Sequence, residues 1–265
     1  METLRVTILG CGGSGGVPLI GGADGAGDWG ACDPAEPRNR RTRSSVAIEA
    51  GGRRLLVDAG PDLRAQCLAN RIGRVDAVLF THGHADHIMG VDDLRVLNRR
   101  LGAALPAIAT EATLAELRRR FDYAFRAATP PAFYRPGLLP VPVEYGQVVE
   151  AAGMRLRCLR LDHRVMEVLG LRIGGFAYCT DVVEMPEETL AALEGLDTLV
   201  VGCFQRQPHP VHAWVGRVLE WVERLRPRRT VLTHLGTDLD WRWCEANLPA
   251  GVSAAWDGRV LEVPG

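Results

Sequence analysis

Thr81-His82-Gly83-His84-Ala85-Asp86-His87 places three imidazoles and one carboxylate within six positions. Packing alone gives no reason to crowd four such groups into one turn. Imidazole and carboxylate together are the donors expected for zinc, manganese or iron. His82 and His84, two residues apart, can turn their rings toward one ion, while Asp86 and His87, a turn further on, can face a second. Two divalent ions acidify a water between them and stabilise charge on the oxygens of a displacement, so the chemistry this cluster suits is metal-assisted hydrolysis.

Such residues need a rigid support. The cluster directly follows the apolar run Val78-Leu79-Phe80, and a strand over Ala77–Thr81 would set it at a sheet rim. Further strands are predicted at Leu4–Leu9, Val46–Glu49, Arg54–Asp58, Arg155–Leu161, Phe176–Thr180, Leu199–Gly202 and Thr230–Thr233. Val215, Val218, Leu219, Val222 and Leu225 recur at helical spacing, which predicts a helix from His212 to Leu225 with Pro227 as its stop. Two more helices are predicted at Thr113–Arg126 and Pro186–Leu193. Gly21–Arg43 and the proline-rich Thr129–Gly146 read as long surface loops, and the basic run Arg38–Arg43 as solvated. Residues 1–265 read as one α/β domain.

The H-x-H-x-D-H signature resembles that of the metallo-β-lactamase superfamily, which implies an αββα sandwich with two metal ions, zinc or manganese, at the sheet edges. The resemblance implies that His82, His84 and His163 hold one ion and Asp86, His87 and His234 the other, with Asp181 bridging. Asp58 matches the superfamily's early aspartate, which supports the site by orienting a ligand. Within the superfamily the chain resembles the PhnP-like phosphoribosyl 1,2-cyclic phosphate phosphodiesterases, from Val6-Thr7-Ile8-Leu9-Gly10 through Gly15-Gly16-Val17-Pro18 to Ala255-Trp256-Asp257-Gly258. That likeness implies a catalytic role for His212 as general acid, with Asp86 counted among the catalytic groups as well as the ligands. It also implies a small phosphate-ester substrate, for which Arg43, Tyr134 and Arg135 are the candidate phosphate and sugar contacts. The chain departs from that family at its structural zinc: a single Cys32 stands where cysteines cluster, and Thr237 stands where a histidine follows the last ligand, so this extra ion is expected to be missing.

The remaining composition excludes several alternatives. Thirty-one basic residues against thirty-two acidic ones leave a net charge of -1, with no general field for nucleic acid or an anionic membrane. No lysine is present, which rules out Schiff-base and P-loop lysine chemistry. Seven scattered cysteines without a C-x-x-C pair suit a reducing cytoplasm, and neither a secretory signal nor an apolar run of membrane-spanning length is visible. The assembly state is left open, a homodimer included. Gly10-Cys11-Gly12-Gly13-Ser14-Gly15 fits a dinucleotide fingerprint, but Val17-Pro18 and Gly21-Gly22 break the helix that must follow, so a glycine-lined turn near the metal site is the better reading. A tRNA 3′-processing nuclease and a thioester or lactone hydrolase, both with the same metal motif, stand as the alternatives to a phosphodiesterase.

Overall fold

The computed structural model describes residues 3–127 and 133–264. The first half of the chain supplies β1 (Leu4–Gly10), β2 (Ser45–Ala50), β3 (Arg53–Val57), β4 (Ala77–Leu79), β5 (Leu105–Ala109) and β6 (Leu138–Pro142). The second half supplies β7 (Val148–Ala151), β8 (Met154–Asp162), β9 (Glu167–Ile173), β10 (Phe176–Cys179), β11 (Thr198–Gly202), β12 (Arg229–Thr233) and β13 (Val252–Ala254), before β14 (Val260–Val263) returns to pair with β1. Two seven-stranded sheets result, ordered β14-β1-β2-β3-β4-β5-β6 and β13-β12-β11-β10-β9-β8-β7. Each is antiparallel at one end and parallel at the other, along β3 to β6 and β10 to β13.

Side-chain alternation along the strands decides the layers. In β3, Leu55 and Val57 enter the core shared with the second sheet, whereas Leu56 faces the opposite way. That outer face is covered by helices α1 (Leu63–Ala69), α3 (Leu94–Leu101) and α4 (Glu111–Arg120), through Leu63, Leu94, Leu97, Leu114 and Leu117. Between α1 and α3 lies the single-turn α2 (Ala85–Ile88). After α5 (Glu187–Ala192), α6 (Val215–Leu225) and α7 (Trp241–Asn247) join the other core through Val218, Trp221, Leu225 and Cys244. The architecture is the αββα metallo-β-lactamase sandwich that the sequence motif implies.

Four expectations need correction. The helix expected from His212 begins at Val215, because Ala213 is tied on both sides: its N–H donates to the Val182 carbonyl at 2.7 Å and its carbonyl accepts from Phe204 at 2.8 Å. His212 therefore stands in a loop. The helix expected to reach Arg126 stops at Arg120, where Phe121 (φ -131°, ψ 47°) leaves helical geometry before a short 3-10 turn over Asp122–Phe125. The proline-rich segment contains β6, whose Pro140 and Pro142 lie in an edge strand paired only with β5, so their missing N–H groups cost no ladder bond; residues 128–132 of that segment lie outside the described residues. In the basic run, Arg41 is buried, not solvated, and donates to the carbonyls of Leu239 at 2.7 Å and Gly236 at 3.2 Å.

Candidate metal centre

The cluster is assembled at the carboxyl ends of strands from both sheets, where open α/β sheets gather ligand sites. Asp58 follows β3, His82 and His84 follow β4, His163 follows β8, Asp181 follows β10 and His234 follows β12. β4 is shorter than predicted because the Thr81 N–H leaves the ladder and donates to Asp58 Oδ1 at 2.8 Å. The chain then turns through Gly83 into α2, which carries Asp86 and His87. Gly60 lets α2 lie against the end of β3, since a Cβ there would stand 2.2 Å from the Asp86 carbonyl oxygen.

The orienting contacts are specific. Asp58, fully buried, accepts from the Thr81 hydroxyl at 2.8 Å and pairs with His87 Nδ1 at 2.6 Å. His163 Nδ1 donates to the Val211 carbonyl at 2.6 Å, which leaves its Nε2 lone pair for the cluster. His87 Nε2 then lies 3.1 Å from Asp181 Oδ2 and 3.2 Å from Asp86 Oδ2, and His234 Nε2 lies 3.1 Å from Asp181 Oδ1. Asp86, His87, Asp181 and His234 each present a ligand atom within 4.8 Å of the others, the set expected for one ion, with the bridging Asp181 included. His82, His84 and His163 are also brought together, with ring centroids 4.6 to 6.0 Å apart. The tighter atom group on that side is nevertheless His163, Asp181 and His212.

Whether these residues fit a metal is decided by what they lack. His82 Nε2, His87 Nε2 and both ring nitrogens of His234 are buried without a hydrogen-bond partner, although buried polar atoms in proteins are almost always satisfied. His87 Nε2 and His234 Nε2 converge on Asp86 and Asp181 as ligand atoms do, and the His/Asp cluster is able to bind metal. The electrostatics agree. Burial lowers His82 and, less strongly, His84, which keeps them neutral and available as donors. Burial also works against charge on His87, but Asp181 and Asp58 outweigh it and raise that histidine well above its ordinary value. Asp86 and Asp181 stay ionised: burial opposes their charge and the facing His234 and His87 more than offset it.

His212, with a side chain 15% exposed, lies at the mouth of the cluster, its Nδ1 3.9 Å from Asp181 Oδ1. Burial first, then neighbouring His234, pushes its pKa down to about 3. Phe204 packs against His209, His212 and His234 at centroid distances of 5.0, 5.0 and 6.2 Å. Sequence reading missed Phe204, the Val211 carbonyl, and the acceptor role of His209, whose Nδ1 takes the N–H of His212 at 3.2 Å. None of these carries a motif; only the fold brings them to the site. The glycine-lined turn does reach it: a Cβ at Gly13 would lie 3.5 Å from His234 Cε1. Arg43 is near as well, packed beside Gly60, but its guanidinium is paired with Asp62 at 3.1 Å. Tyr134 is 86% exposed, and Arg135 donates to the carbonyls of Tyr123, Arg126 and Ala127, so its charge serves its own loop. All seven cysteines are buried, and burial raises Cys67 and Cys158 to about 11 and Cys179 and Cys244 to about 12, so these four are not thiolate nucleophiles at neutral pH.

Comparison with known proteins agrees with this geometry. A crystal structure of a diphosphatase from the PhnP family superposes with a TM-score of 0.89 at 34% identity, covering 99% of this chain and 98% of that one. An octanoyltransferase of Porphyromonas gingivalis is 31% identical over 261 residues, covering 96% of this chain but 51% of that protein. A ribonuclease Z of Bradyrhizobium sp. (strain ORS 278) is 29% identical over 143 residues, which is 51% of this chain and 44% of the relative. The chain thus spans about half the length of these curated relatives. Residues 53–235 match the β-lactamase superfamily domain, and the chain belongs to that superfamily of metal-dependent hydrolases.

Proposed function

We propose that the protein is a dinuclear phosphodiesterase acting on a small cyclic phosphate or nucleotide-like diester. The observation that carries this reading is the placement of Asp181 in both ligand-atom groups, with unpartnered ring nitrogens on either side of it. When bound, two divalent ions would polarise the phosphoryl group and acidify an attacking water. The protein's own residues do the rest. Asp58 and the Val211 carbonyl hold His87 and His163 by Nδ1 and aim their Nε2 atoms inward. His212, at the mouth of the cluster beside Asp181, is the side chain placed to give a proton to the leaving oxygen, and an anionic phosphate against it favours the charged form that burial opposes. The PhnP-family diphosphatase supports phosphoryl chemistry.

A second reading, tRNA 3′ processing, is favoured by the ribonuclease Z relatives. It needs an arm to grip RNA, and between Asp181 and His212 the chain builds only α5 and β11 with their connections. One activity profile of the zinc- or manganese-loaded protein separates the readings, using cyclic phosphates, nucleotide diesters, precursor tRNA, lactones and thioesters. Preferred cleavage of the small diesters is expected. Cleavage of precursor tRNA, lactones or thioesters in preference to every diester would overturn the proposal.

A further inference from the structure

A pocket of about 490 Å³ opens against Gly83 of the His82–His84 turn, within the size range of small-ligand sites. Two of its lining residues neighbour the cluster. Gly83 lies between His82 and His84, and Met166 follows His163, whose N–H donates to the Met166 carbonyl at 3.1 Å. The far side is α4, from Ala112 to Arg120, with Tyr145 completing the wall.

Its charges are already committed. Arg119 and Arg120 both pair with Glu116, at 2.7 and 3.0 Å, and Arg120 also donates to the Gly83 carbonyl at 2.5 Å. Glu167 pairs with Arg160 at 3.1 Å. No lining cation is free for a second phosphate, and seating one would break pairs that also brace the His82–His84 turn. What remains is the Tyr145 ring, the Met166 thioether and the Ala112 methyl, rimmed by the Thr110 hydroxyl and by carboxylate oxygens able to accept hydrogen bonds. An acyl chain would leave that rim unmatched, and a bare sugar would leave the apolar walls unused. A flat heterocycle with N–H donors, carried on a sugar with an O–H donor, uses both.

Building on the phosphodiesterase reading, we propose that this pocket is the specificity subsite for an uncharged nucleoside, its base lying against Tyr145 and Met166 while the phosphate sits at the metal centre. The test compares adenosine 2′,3′-cyclic phosphate with ethylene cyclic phosphate, which has no group to fill the pocket. Ala112→Trp fills the pocket from an exposed helical position and spares the fold; Tyr145→Leu removes the ring. The ratio of kcat/KM between the two substrates should fall about tenfold in each variant, mostly through KM, as loss of one aromatic stacking contact implies. An unchanged ratio, or an equal loss on both substrates, would overturn the subsite. If the loaded wild type cleaves neither substrate, the diesterase reading has failed, and adenosine titration followed by protein NMR decides the pocket by itself. Saturable shifts at Tyr145 that vanish in Ala112→Trp support it. Binding of ribose 5-phosphate in place of adenosine, no binding, or binding insensitive to Ala112→Trp overturns it.

Discussion

Asp58 touches no ion in the proposed arrangement, yet replacing one of its oxygens by an amide nitrogen should weaken metal binding at the site. Asp58→Asn keeps the size of the side chain, and asparagine tolerates the left-handed backbone at φ 64°. Its carbonyl oxygen can still accept from the Thr81 N–H. Its amide nitrogen, however, then faces His87 Nδ1, the atom that stands 2.6 Å from the native carboxylate. Two donors cannot share that contact, so His87 must accept at Nδ1 and carry its proton on Nε2, the nitrogen that points at Asp86 and Asp181. A ring protonated there has no lone pair for a metal, and the expected loss of affinity is roughly 10–100-fold. Asp58→Ala behaves differently. It strands the Thr81 N–H and His87 Nδ1–H in a buried site at roughly 1–3 kcal/mol each, while the Thr81 hydroxyl keeps His82 Nδ1 at 3.0 Å. Chelator competition measures metal affinity, and thermal unfolding of the metal-free proteins measures the fold. The expected pattern is a stable, metal-poor Asn variant and an unstable Ala variant. An Asn variant that holds metal as tightly as wild type would refute the tautomer argument.

Three further outcomes follow from the same geometry. His87 has a raised pKa in the metal-free fold, so its ionisation contributes stability that is present below its unfolded value near 6.5 and is lost as pH rises through the folded value; metal must displace that proton, so affinity should climb with pH through neutrality, and calorimetry in buffers of different ionisation enthalpy should detect proton release, with buffer-independent heats counting against it. His209→Ala removes the acceptor for the N–H groups of Val211 and His212, a loss of about 1 kcal/mol that should lower kcat roughly five- to tenfold and loosen metal through His163, whereas His209→Asn should restore both; an Asn variant as poor as Ala would refute the positioning role. His212→Ala should slow a poor alkoxide leaving group by about 10²–10⁴-fold and bis(p-nitrophenyl) phosphate far less, with metal content unchanged, and equal losses on both would mean that His212 positions phosphate without protonating it.

The eight predicted strands all form, because burial on two faces writes β-branched apolar runs such as Leu199–Gly202 directly into the sequence. β6 was illegible for the opposite reason: an edge strand tolerates Pro140 and Pro142, which read as loop. The start of α6 was illegible because Ala213 is held by Val182 and Phe204, contacts with no local signal. Arg41 read as solvated since a sequence shows its charge but not the two carbonyls that await it. At the site, His82, His84, Asp86 and His87 announce themselves by crowding, whereas His163, Asp181 and His234 are single residues legible only through their order in a known motif. Residues that act by a backbone carbonyl or a ring face, Val211 and Phe204, have no type-specific signature at all.

Asp58, Asp181 and His234 share a feature that joins fold to chemistry. Each follows a core strand directly or within two residues, and each adopts a positive φ, of 64°, 49° and 55°. Side chains in a continuing strand alternate between the two faces of the sheet, so none would point out over the strand ends. A left-handed residue at the exit breaks that alternation and swings the side chain into the cleft between the sheets. The conformation costs of order 1–3 kcal/mol per residue, and Asp and His are among the non-glycine residues that adopt it most readily. Backbone contacts at two of these kinks supply restraint: the Asp58 N–H donates to the Leu79 carbonyl at 2.8 Å, and the Leu235 N–H just past His234 donates to the Cys11 carbonyl at 2.8 Å. Cys11 belongs to the glycine-lined turn, so that turn acts as the clamp that keeps His234 kinked inward. The stretch that mimics a dinucleotide fingerprint is thereby given a mechanical role. Gly13 lets the chain approach His234 and Phe204 closely enough to hold that histidine in a conformation it would not keep alone.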